Sequence, residues 1–531
     1  MRPDGHLDDE AQLEALGHKG ELKRNFSLLS MLGLAFAILN SWTALSTSIG
    51  LALPSGGSTS VIWGLVTAGV CNVALAASLA EFLSAYPTAG GQYHWVAVIT
   101  PKKYVPIASW ITGWINVSGW IALTTSGGLL ASQLISGLIA LYHPDFALKP
   151  YQVWLIYVAW TLIAFIINAF LNNLLPYVNR SAFIWSIGGF VIICITVLAC
   201  ASPDYASAKF VFGTFINETG WPDGIAWLLG LLQGGFGLTG YDAVAHMIEE
   251  IPNASVEGPK IMIYCVLIGT FTGFIFLMIL LFVSGGDAEA IIGSATGPLI
   301  YILNNATSSR AGAACLLMFP LICILFAETA IMTTSSRMTY AFARDGGLPM
   351  SKIFSKVHPK LGQPLNALIL AAALTILFGL ILIGSSSAFN ALISASVVAL
   401  GVSYAIPVAI NLCRGRKMLP KDAPFRLPTV VGWIANIIGV AYTIVTTVLF
   451  LFPPELPVTT SNMNYCVVAF GIILFISTFQ WFFDGRKNFT GPRTDMGLEV
   501  LEAMKSAEQE PTAAHVRHVK VGGEELGPHT I

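Results

Sequence analysis

The chain has 531 residues, of which 55% are hydrophobic and only 11% are charged. Soluble domains carry about 25% charged residues, so this composition indicates a membrane protein whose outer surface is covered by lipid. The formal net charge of −2 indicates no nucleic-acid partner.

Twelve apolar runs are long enough to cross a bilayer, which takes about 20 apolar residues. We number them spans 1 to 12 and predict an all-α membrane protein. The domain they form should cover residues 26–485, between tails at 1–25 and 486–531. In chain order the runs are 27–52, 60–84, 105–139, 152–174, 177–201, 225–247, 260–284, 311–340, 365–384, 388–412, 431–452 and 464–483.

The basic residues support this count. If the chain crosses twelve times, 24 of its 27 lysines and arginines fall on one side, and only Lys149, Lys209 and Arg310 fall on the other. Cytoplasmic loops carry the excess of basic residues. We therefore expect both tails in the cytoplasm and the protein in the plasma membrane.

Span 1 carries a polar patch in the middle of its apolar run. Asn40, Ser41, Trp42 and Thr43 follow Ala37 and two further apolar residues. Such a patch is either a break, whose free backbone groups bind an ion or a charged substrate group, or an ordinary polar contact between helices. A tryptophan in a break also offers a ring face to a quaternary ammonium group.

Span 6 has the clearest irregularity in the chain. Gly237, Thr239 and Gly240 stand directly before Tyr241 and Asp242. Irregular backbone and a carboxylate at membrane depth are tolerated where they line a cavity, so we predict a broken helix here. Close helix packing is the alternative for the glycines, and a structural role is the alternative for the acid. Matching breaks five spans apart point to an inverted repeat and a substrate site between them.

Span 8 places a carboxylate inside an apolar run. Glu328 follows Ile324, Leu325, Phe326 and Ala327, so it is either a substrate counter-ion, a proton carrier or a neutral structural acid. Farther along the same span, the hydroxyls of Thr333 and Ser336 are suited to sodium coordination, but hydroxyls also pack spans together.

The remaining chemistry-bearing residues form no enzyme or metal motif. The eight cysteines are scattered without a C-x-x-C pair, and no nucleotide loop or nucleophile elbow is present. We expect no enzyme activity, no cofactor and no bound metal. Two sequons, at Asn217 and Asn305, fall on the side opposite the tails and are open to glycosylation in a secretory pathway.

Five motifs together resemble the amino acid–polyamine–organocation transporter superfamily, specifically its fungal amino acid/choline permease branch. They are GLAFAILNSWTAL in span 1, AEFLSAYPTAGGQYHWVA at 80–97, SWITGWINVSGW at 109–120, LTGYDAVAHMIEE at 238–250 and SSRMTYAFARDGGLP at 335–349. The resemblance covers residues 22–492. It implies two inverted five-helix repeats with spans 1 and 6 broken, two additional helices, and alternating access driven by a proton or sodium gradient.

The same resemblance implies a gate on the cytoplasmic side. Glu81 and the loop containing Gly90 and Gly91 look like the family's hinge, and they are expected to form an ion-pair gate with Arg337, Arg344 and Asp345. His246, Glu249 and Glu250, which follow the break in span 6, are expected in an inner gate or an interfacial network.

The sequence leaves two classes of substrate possible, a small amine or an amino acid. Choline needs aromatic faces and an acid, which Trp42, Tyr241, Asp242 and Glu328 supply, whereas GABA or a neutral amino acid needs backbone N–H groups for its carboxylate. We favour choline import with a co-transported proton over sodium. A nutrient sensor that kept the fold and lost transport is the alternative of another class.

Overall fold

The fold is a bundle of helices, most of which run from one side of the molecule to the other. The computed structural model describes residues 33 and 36–492, apart from 172–174 and 385–386. Within these residues, ten helices are long and apolar enough to cross a membrane. The predicted tail at 1–25 and the tail residues beyond 492 lie outside the described residues.

Those ten helices correspond to ten of the predicted spans, most with ends shifted by a few residues. Pro106 and Pro150 stand in the first turns of spans 3 and 4, where a missing N–H costs no hydrogen bond. The observed bounds are Gly57–Ala85 for span 2, Val105–Tyr142 for span 3, Pro150–Phe170 for span 4, Leu175–Ala201 for span 5, Ala254–Phe282 for span 7, Arg310–Arg344 for span 8, Leu365–Phe378 with Ile381–Gly384 for span 9, Ala388–Cys413 for span 10, Thr429–Leu449 for span 11 and Cys466–Gln480 for span 12.

Spans 1 and 6 are interrupted in the middle of their apolar runs, whereas span 9 has only a short turn near its end. Span 1 resumes after a break as Ser41–Thr47, and span 6 consists of Asp223–Gly237 and Ala243–His246. Together with the ten other spans they give the predicted twelve-span fold, in which the broken helices lead the two five-span repeats. Span 6 was therefore correctly placed at 225–247, although its first half begins two residues earlier.

Short helices connect the spans at both ends of the bundle. Gln92–Ile99 lies between spans 2 and 3, and Ile248–Glu250 is a 3₁₀ turn between spans 6 and 7. These two segments lie where spans 2, 6, 8 and 10 end and most basic residues occur, and we call this side the basic end. Pro298–Thr307 lies at the opposite end, between spans 7 and 8.

Burial separates inner from outer spans. The most apolar stretches of spans 3, 8 and 10 are 78%, 61% and 72% buried, whereas those of spans 4, 5 and 12 are only 28%, 28% and 11% buried. Apolar surface left uncovered by protein is what a lipid-facing helix presents. Spans 3, 8 and 10 therefore form the centre, around the broken spans 1 and 6.

Candidate functional site

The break in span 1 is centred on Asn40. Its backbone is left-handed, with φ 37° and ψ 43°, a conformation that asparagine tolerates better than most residues. The helix Ser41–Thr47 starts directly after it with no side-chain cap. The first amide groups of a helix lack partners within the helix, so this start presents N–H donors and the positive end of the helix dipole.

The break in span 6 follows Gly237 and lies beside the first one. Gly240 has φ 105°, which disfavours any residue with a side chain. A Cβ at Gly240 would lie 3.1 Å from Ile38 and 3.2 Å from Leu123, so glycine also lets the chain approach spans 1 and 3 closely. The predicted break is present, but Gly237 itself is helical and the irregular stretch is 238–242.

A narrow cavity lies between the two breaks and spans 3 and 8. The volume that a water centre can occupy is about 30 Å³, which is room for one or two water molecules. Of the predicted substrate residues, Asn40 and Thr239 line it. The other lining residues are mostly apolar: Ile38, Leu39, Ala44, Leu123, Ser126, Gly127, Leu130, Phe236, Ile324, Ala327 and Ile331.

Glu328 lies immediately behind this lining. A Cβ on the lining residue Gly127 would be 3.0 Å from the Cβ of Glu328, so the base of this side chain packs directly behind the cavity wall. The side chain is fully buried. Within the described residues its carboxylate oxygens lack a well-formed hydrogen bond, and the hydroxyl of Thr161 in span 4 is the donor beside them. A buried acid with so few partners calls for a cation or a proton.

Asp242, in contrast, lies in a dense cluster of hydrogen-bond donors. Its Oδ2 accepts from Gln92 Nε2 at 2.9 Å and from Trp120 Nε1 at 3.2 Å, and Asn116 Nδ2 lies 3.5 Å away. The Tyr404 hydroxyl donates to Oδ1. The carboxylate is fully buried and does not line the cavity, so in this conformation it holds four segments together instead of facing a substrate.

His246 joins this cluster to the loop before Gln92. Its Nε2 lies 3.1 Å from Oδ2 of Asp242, and its Nδ1 lies 2.9 Å from the Ala89 carbonyl oxygen. Gly91, with φ 55°, passes so close that a Cβ there would lie 3.0 Å from the imidazole. These contacts join span 6 to the loop before Gln92, and the place of His246 in an inner gate or network stays a prediction.

Two ion pairs lie farther toward the basic end. Glu249 contacts Arg344 at 3.3 Å, and Glu250 contacts Arg337 at 3.0 Å. Burial raises the pKa of the Glu250 carboxyl, and the Arg337 guanidinium opposes that shift. Because both pairs join the end of span 6 to span 8, they close the bundle on this side.

A third contact, from Tyr93 to Asp345, completes this closure. The Tyr93 hydroxyl donates to Oδ2 of Asp345 at 2.7 Å. Its ring also lies beside Gly90, where a Cβ would be 3.0 Å from the phenol. The loop after span 2 is therefore fastened to the end of span 8 by a neutral donor, and the role of Asp345 in an ion-pair gate stays a prediction.

The expectation for Glu81 needs a correction. Its two carboxylate oxygens each lie 2.9 Å from Nη2 of Arg416, in the loop after span 10, and Oε1 also accepts from the Leu427 N–H at 3.0 Å. Glu81 thus pairs with Arg416 and not with Arg337 or Arg344. The reason is geometric, because span 2 ends beside spans 10 and 11 whereas the two other arginines are taken by Glu249 and Glu250.

Trp42 and Tyr241 also lie elsewhere than an aromatic box around a substrate requires. Trp42 donates to Ser186 Oγ at 2.8 Å and packs edge-on against Phe276 of span 7, with ring centroids 4.8 Å apart. Tyr241 packs against Tyr404, with centroids 4.9 Å apart. Neither ring lines the cavity. Trp42 instead packs among spans 5 and 7, and Tyr241 packs against span 10.

The other predicted residues are buried near the breaks without lining the cavity. Ala37, Ser41 and Thr43 are 5%, 1% and 0% exposed. The hydroxyls predicted for sodium donate elsewhere: Thr333 to Asn168 of span 4 at 2.5 Å, and Ser336 to the Thr333 carbonyl at 2.6 Å. These two hydroxyls therefore pack span 8, which was the alternative reading of the pattern.

A larger cavity opens at the opposite end of the bundle. A water centre can occupy about 420 Å³ there, between the ends of spans 1, 6, 10 and 11. Glu218 and Glu455 belong to its lining, and no lysine or arginine does among the described residues. The bundle is thus closed by ion pairs at the basic end and hollow at the other.

The comparisons with known proteins fit this architecture. A family model described as amino acid permease matches residues 26–475. The chain is 36% identical to a choline transporter of Saccharomyces cerevisiae, over 91% of this chain and 86% of that protein. It is 31% identical to the amino-acid permease BAT1 of Arabidopsis thaliana, over 91% and 96%. It is also 31% identical to a swainsonine transporter of Arthroderma benhamiae, over 92% and 95%.

Proposed function

The chain belongs to the amino acid permease family, and from this membership we propose that it imports a small cationic amine, with choline as the favoured substrate. Its family makes it a multi-pass membrane transporter of amino acids or amines and not an enzyme. The proposal adds the charge of the substrate, the direction of transport and a proton as the coupling ion.

The observation that carries the proposal is the carboxylate of Glu328 behind Gly127. A fully buried acid with no well-formed hydrogen bond among the described residues favours a positively charged neighbour. Among the described residues the cavity lining holds no lysine or arginine, so the substrate itself is the natural counter-ion. The apolar side chains around it suit the methyl groups of a quaternary ammonium, and Phe236 adds one ring to the lining.

An amino acid or GABA remains the second candidate, and a different feature supports it. The helix start at Ser41 has no side-chain cap, so its amide groups can bind a substrate carboxylate. A zwitterion would then place its ammonium toward Glu328. The relatives named for choline, for amino acids and for swainsonine are compatible with either chemistry.

The closed basic end and the hollow opposite end support alternating access. We propose that the basic end faces the cytoplasm, since cytoplasmic loops carry the excess of lysine and arginine. The larger cavity would then face outward, so that a substrate enters from outside and leaves when the ion pairs at the basic end separate. On this view the protein lies in the plasma membrane with both tails inside and uses the inward proton gradient.

Uptake by yeast cells that lack their own choline and amino acid permeases tests the substrate. We expect saturable accumulation of labelled choline, weaker competition by GABA and neutral amino acids, and collapse of accumulation when a protonophore is added. Glu328→Gln keeps the size of the side chain and removes its charge, so it should abolish choline uptake. The matched control Glu257→Gln changes a partly exposed acid paired with Lys260 and should transport normally.

Each arm has an outcome that contradicts the proposal. Stronger uptake of an amino acid than of choline would identify the second candidate as the substrate. Normal choline uptake by Glu328→Gln would remove that acid from the site. Uptake that depends on sodium would identify sodium instead of the proton as the coupling ion. No uptake at all by a protein that reaches the cell surface would favour the sensor alternative.

A further inference from the structure

His246 lies between two hydrogen-bond acceptors, one beside each of its ring nitrogens. The Ala89 carbonyl oxygen only accepts, so the Nδ1 that faces it at 2.9 Å must carry a hydrogen. The other nitrogen, Nε2, faces Oδ2 of Asp242 at 3.1 Å. Whether a hydrogen lies between Nε2 and Oδ2 therefore decides how many protons the pair carries.

The surrounding hydrogen bonds show that Asp242 receives donors on every side. Ser403 donates to the Leu400 carbonyl at 2.7 Å, so its oxygen accepts from Asn116 Nδ2 at 3.0 Å. The same amide nitrogen donates to Gln92 Oε1 at 3.1 Å, which turns the amide N–H of Gln92 toward Asp242. This chain of bonds fixes the orientation of both amides. One N–H of Gln92 donates to the carboxylate, and the two N–H groups of Asn116 are taken by Gln92 and Ser403, so that the nitrogen of Asn116, and not its oxygen, lies beside Asp242.

One additional proton is needed for His246 to make both contacts at once. With Nδ1–H on the Ala89 oxygen, a contact between Nε2 and Oδ2 needs a hydrogen on Nε2 or on the carboxyl group. Either arrangement, a charged imidazolium–carboxylate pair or a neutral imidazole–carboxylic acid pair, contains one proton more than a neutral imidazole beside a carboxylate. A neutral imidazole carries only one N–H, so it can donate to Ala89 or to Asp242 but not to both.

We propose that Asp242 and His246 together form the binding site of the co-transported proton and that this proton fastens the loop before Gln92 to span 6. This inference rests on the proposed proton-coupled function. It assigns the coupling ion to a named pair and links the ion to the closure of the basic end. On this proposal, the conformation described here, in which both contacts of His246 are present, corresponds to the protonated pair.

Among the described residues, no other charged side chain contacts Asp242 or His246; the nearest further imidazole along the chain, His94, is buried on the short helix that begins at Gln92. Toward the basic end, Glu249 and Glu250 are each matched by an arginine from span 8. From spans 3 and 10 and from the loop before span 3, the groups that face Asp242 are two amides, the Trp120 N–H and the Tyr404 hydroxyl, and Tyr241 packs on Tyr404. The Trp120 ring also lies edge-on to His246 at 5.8 Å.

The link to the gate passes through Ala89. Its carbonyl binds His246, and its own N–H donates to Oε1 of Glu249 at 3.1 Å. Glu249 in turn pairs with Arg344. When the proton leaves, His246 keeps one N–H, which stays with the carboxylate of Asp242 because a charged acceptor binds it more strongly than a carbonyl. The contact with Ala89 is then lost, and the loop that helps close the basic end loses a fastening. Proton release is thereby tied to opening toward the cytoplasm, as import driven by an inward gradient requires.

Proteoliposomes with the purified full chain separate this inference from the proposed function. With one proton per substrate and no membrane potential, a gradient of one pH unit sustains about a tenfold accumulation. The wild type should reach that value. His246→Gln and Asp242→Asn should accumulate about onefold, yet still exchange internal for external substrate when no gradient is applied. The exposed residue His143 gives the control His143→Gln, which should accumulate as the wild type does.

The outcomes are distinguishable. A wild type that exchanges substrate but ignores the pH gradient refutes proton coupling itself. A coupled wild type together with a His246→Gln variant that accumulates tenfold overturns the pair as the proton site. Loss of both exchange and accumulation in both variants would mean that the substitutions damage the structure. The response of the loop to pH in the unmodified protein then decides, and no response would overturn the inference.

That response is measured with Thr88→Cys, at a buried position of the loop, in a background that retains the exposed Cys413 as a reference thiol. Raising the pH should accelerate alkylation at position 88 more than at Cys413, because deprotonation of the pair frees the loop. Equal acceleration at the two thiols would contradict the proposal without relying on any variant of the pair.

Discussion

Gly240 offers the sharpest test that the break in span 6 is needed for transport. Gly240→Ala places a Cβ on a backbone with φ 105°, a conformation that L-residues rarely adopt and that costs about 1–3 kcal/mol. The new Cβ also lies 3.1 Å from Ile38 and 3.2 Å from Leu123, which adds a few tenths of an ångström of displacement on each neighbour. The backbone term dominates because the two side chains can move.

This magnitude converts directly into an expected loss of uptake. If the conformation with both breaks in contact is destabilised by about 1–3 kcal/mol, its population falls by about 5- to 150-fold, since each 1.4 kcal/mol is a factor of ten. Initial uptake rates, normalised to protein at the cell surface, should fall within that range. Gly188→Ala in span 5 is the control, because nothing lies within 4 Å of its Cβ position.

A Gly240→Ala protein with wild-type uptake would refute the reasoning, because the backbone at this position would then not need the conformation described. A loss of equal size in Gly188→Ala would show that the assay reports a general sensitivity of the helices. Only a loss confined to Gly240→Ala connects the strained position with transport.

Three further substitutions test the packing around the site. Trp42→Ala should lower stability by about 3–5 kcal/mol and reduce uptake of choline and amino acids in equal proportion, since the ring packs in the bundle; a selective loss of choline uptake would return it to the substrate site. Arg416→Ala leaves Glu81 buried without its partner and should destabilise the protein by about 3–5 kcal/mol in detergent unfolding, much of it recovered on adding Glu81→Gln; additive losses would contradict this pairing. Tyr93→Phe removes a hydrogen bond to Asp345, worth about 1.5–3 kcal/mol, and should increase thiol labelling at the basic end, whereas unchanged labelling would mean that this contact does not hold the gate.

The amino-acid sequence was sufficient for the fold because lipid imposes strong local rules. Long apolar runs mark the spans, and clustered glycines beside Asp242 mark the break, because irregular backbone needs a cavity wherever it occurs at membrane depth. These signals are local in the chain, and so were the predictions that the structure confirmed, such as the interruptions at Asn40 and Gly240.

The direction of each side chain was not available from the same signals. Trp42 and Tyr241 follow their breaks as expected, but which face of the bundle they point to depends on neighbours far away in the chain. The partners of Asp242 come from three other segments, and Tyr404 is 162 positions away. Asn116 and Trp120 lie one turn apart in span 3, within the motif SWITGWINVSGW at 109–120. This spacing places both side chains on one face of the helix, and that face points toward Asp242.

The donor cluster around Asp242 has a consequence for the order in which the chain assembles. Span 6 is synthesised long before span 10, so the acid leaves the ribosome without Tyr404 and enters the membrane with an incomplete set of donors. Gln92, Asn116 and Trp120 come earlier in the chain and are already present to receive it. In the order of synthesis, the donors of the short helix and of span 3 therefore precede the acid, and Tyr404 of span 10 is the last member of the cluster to be made.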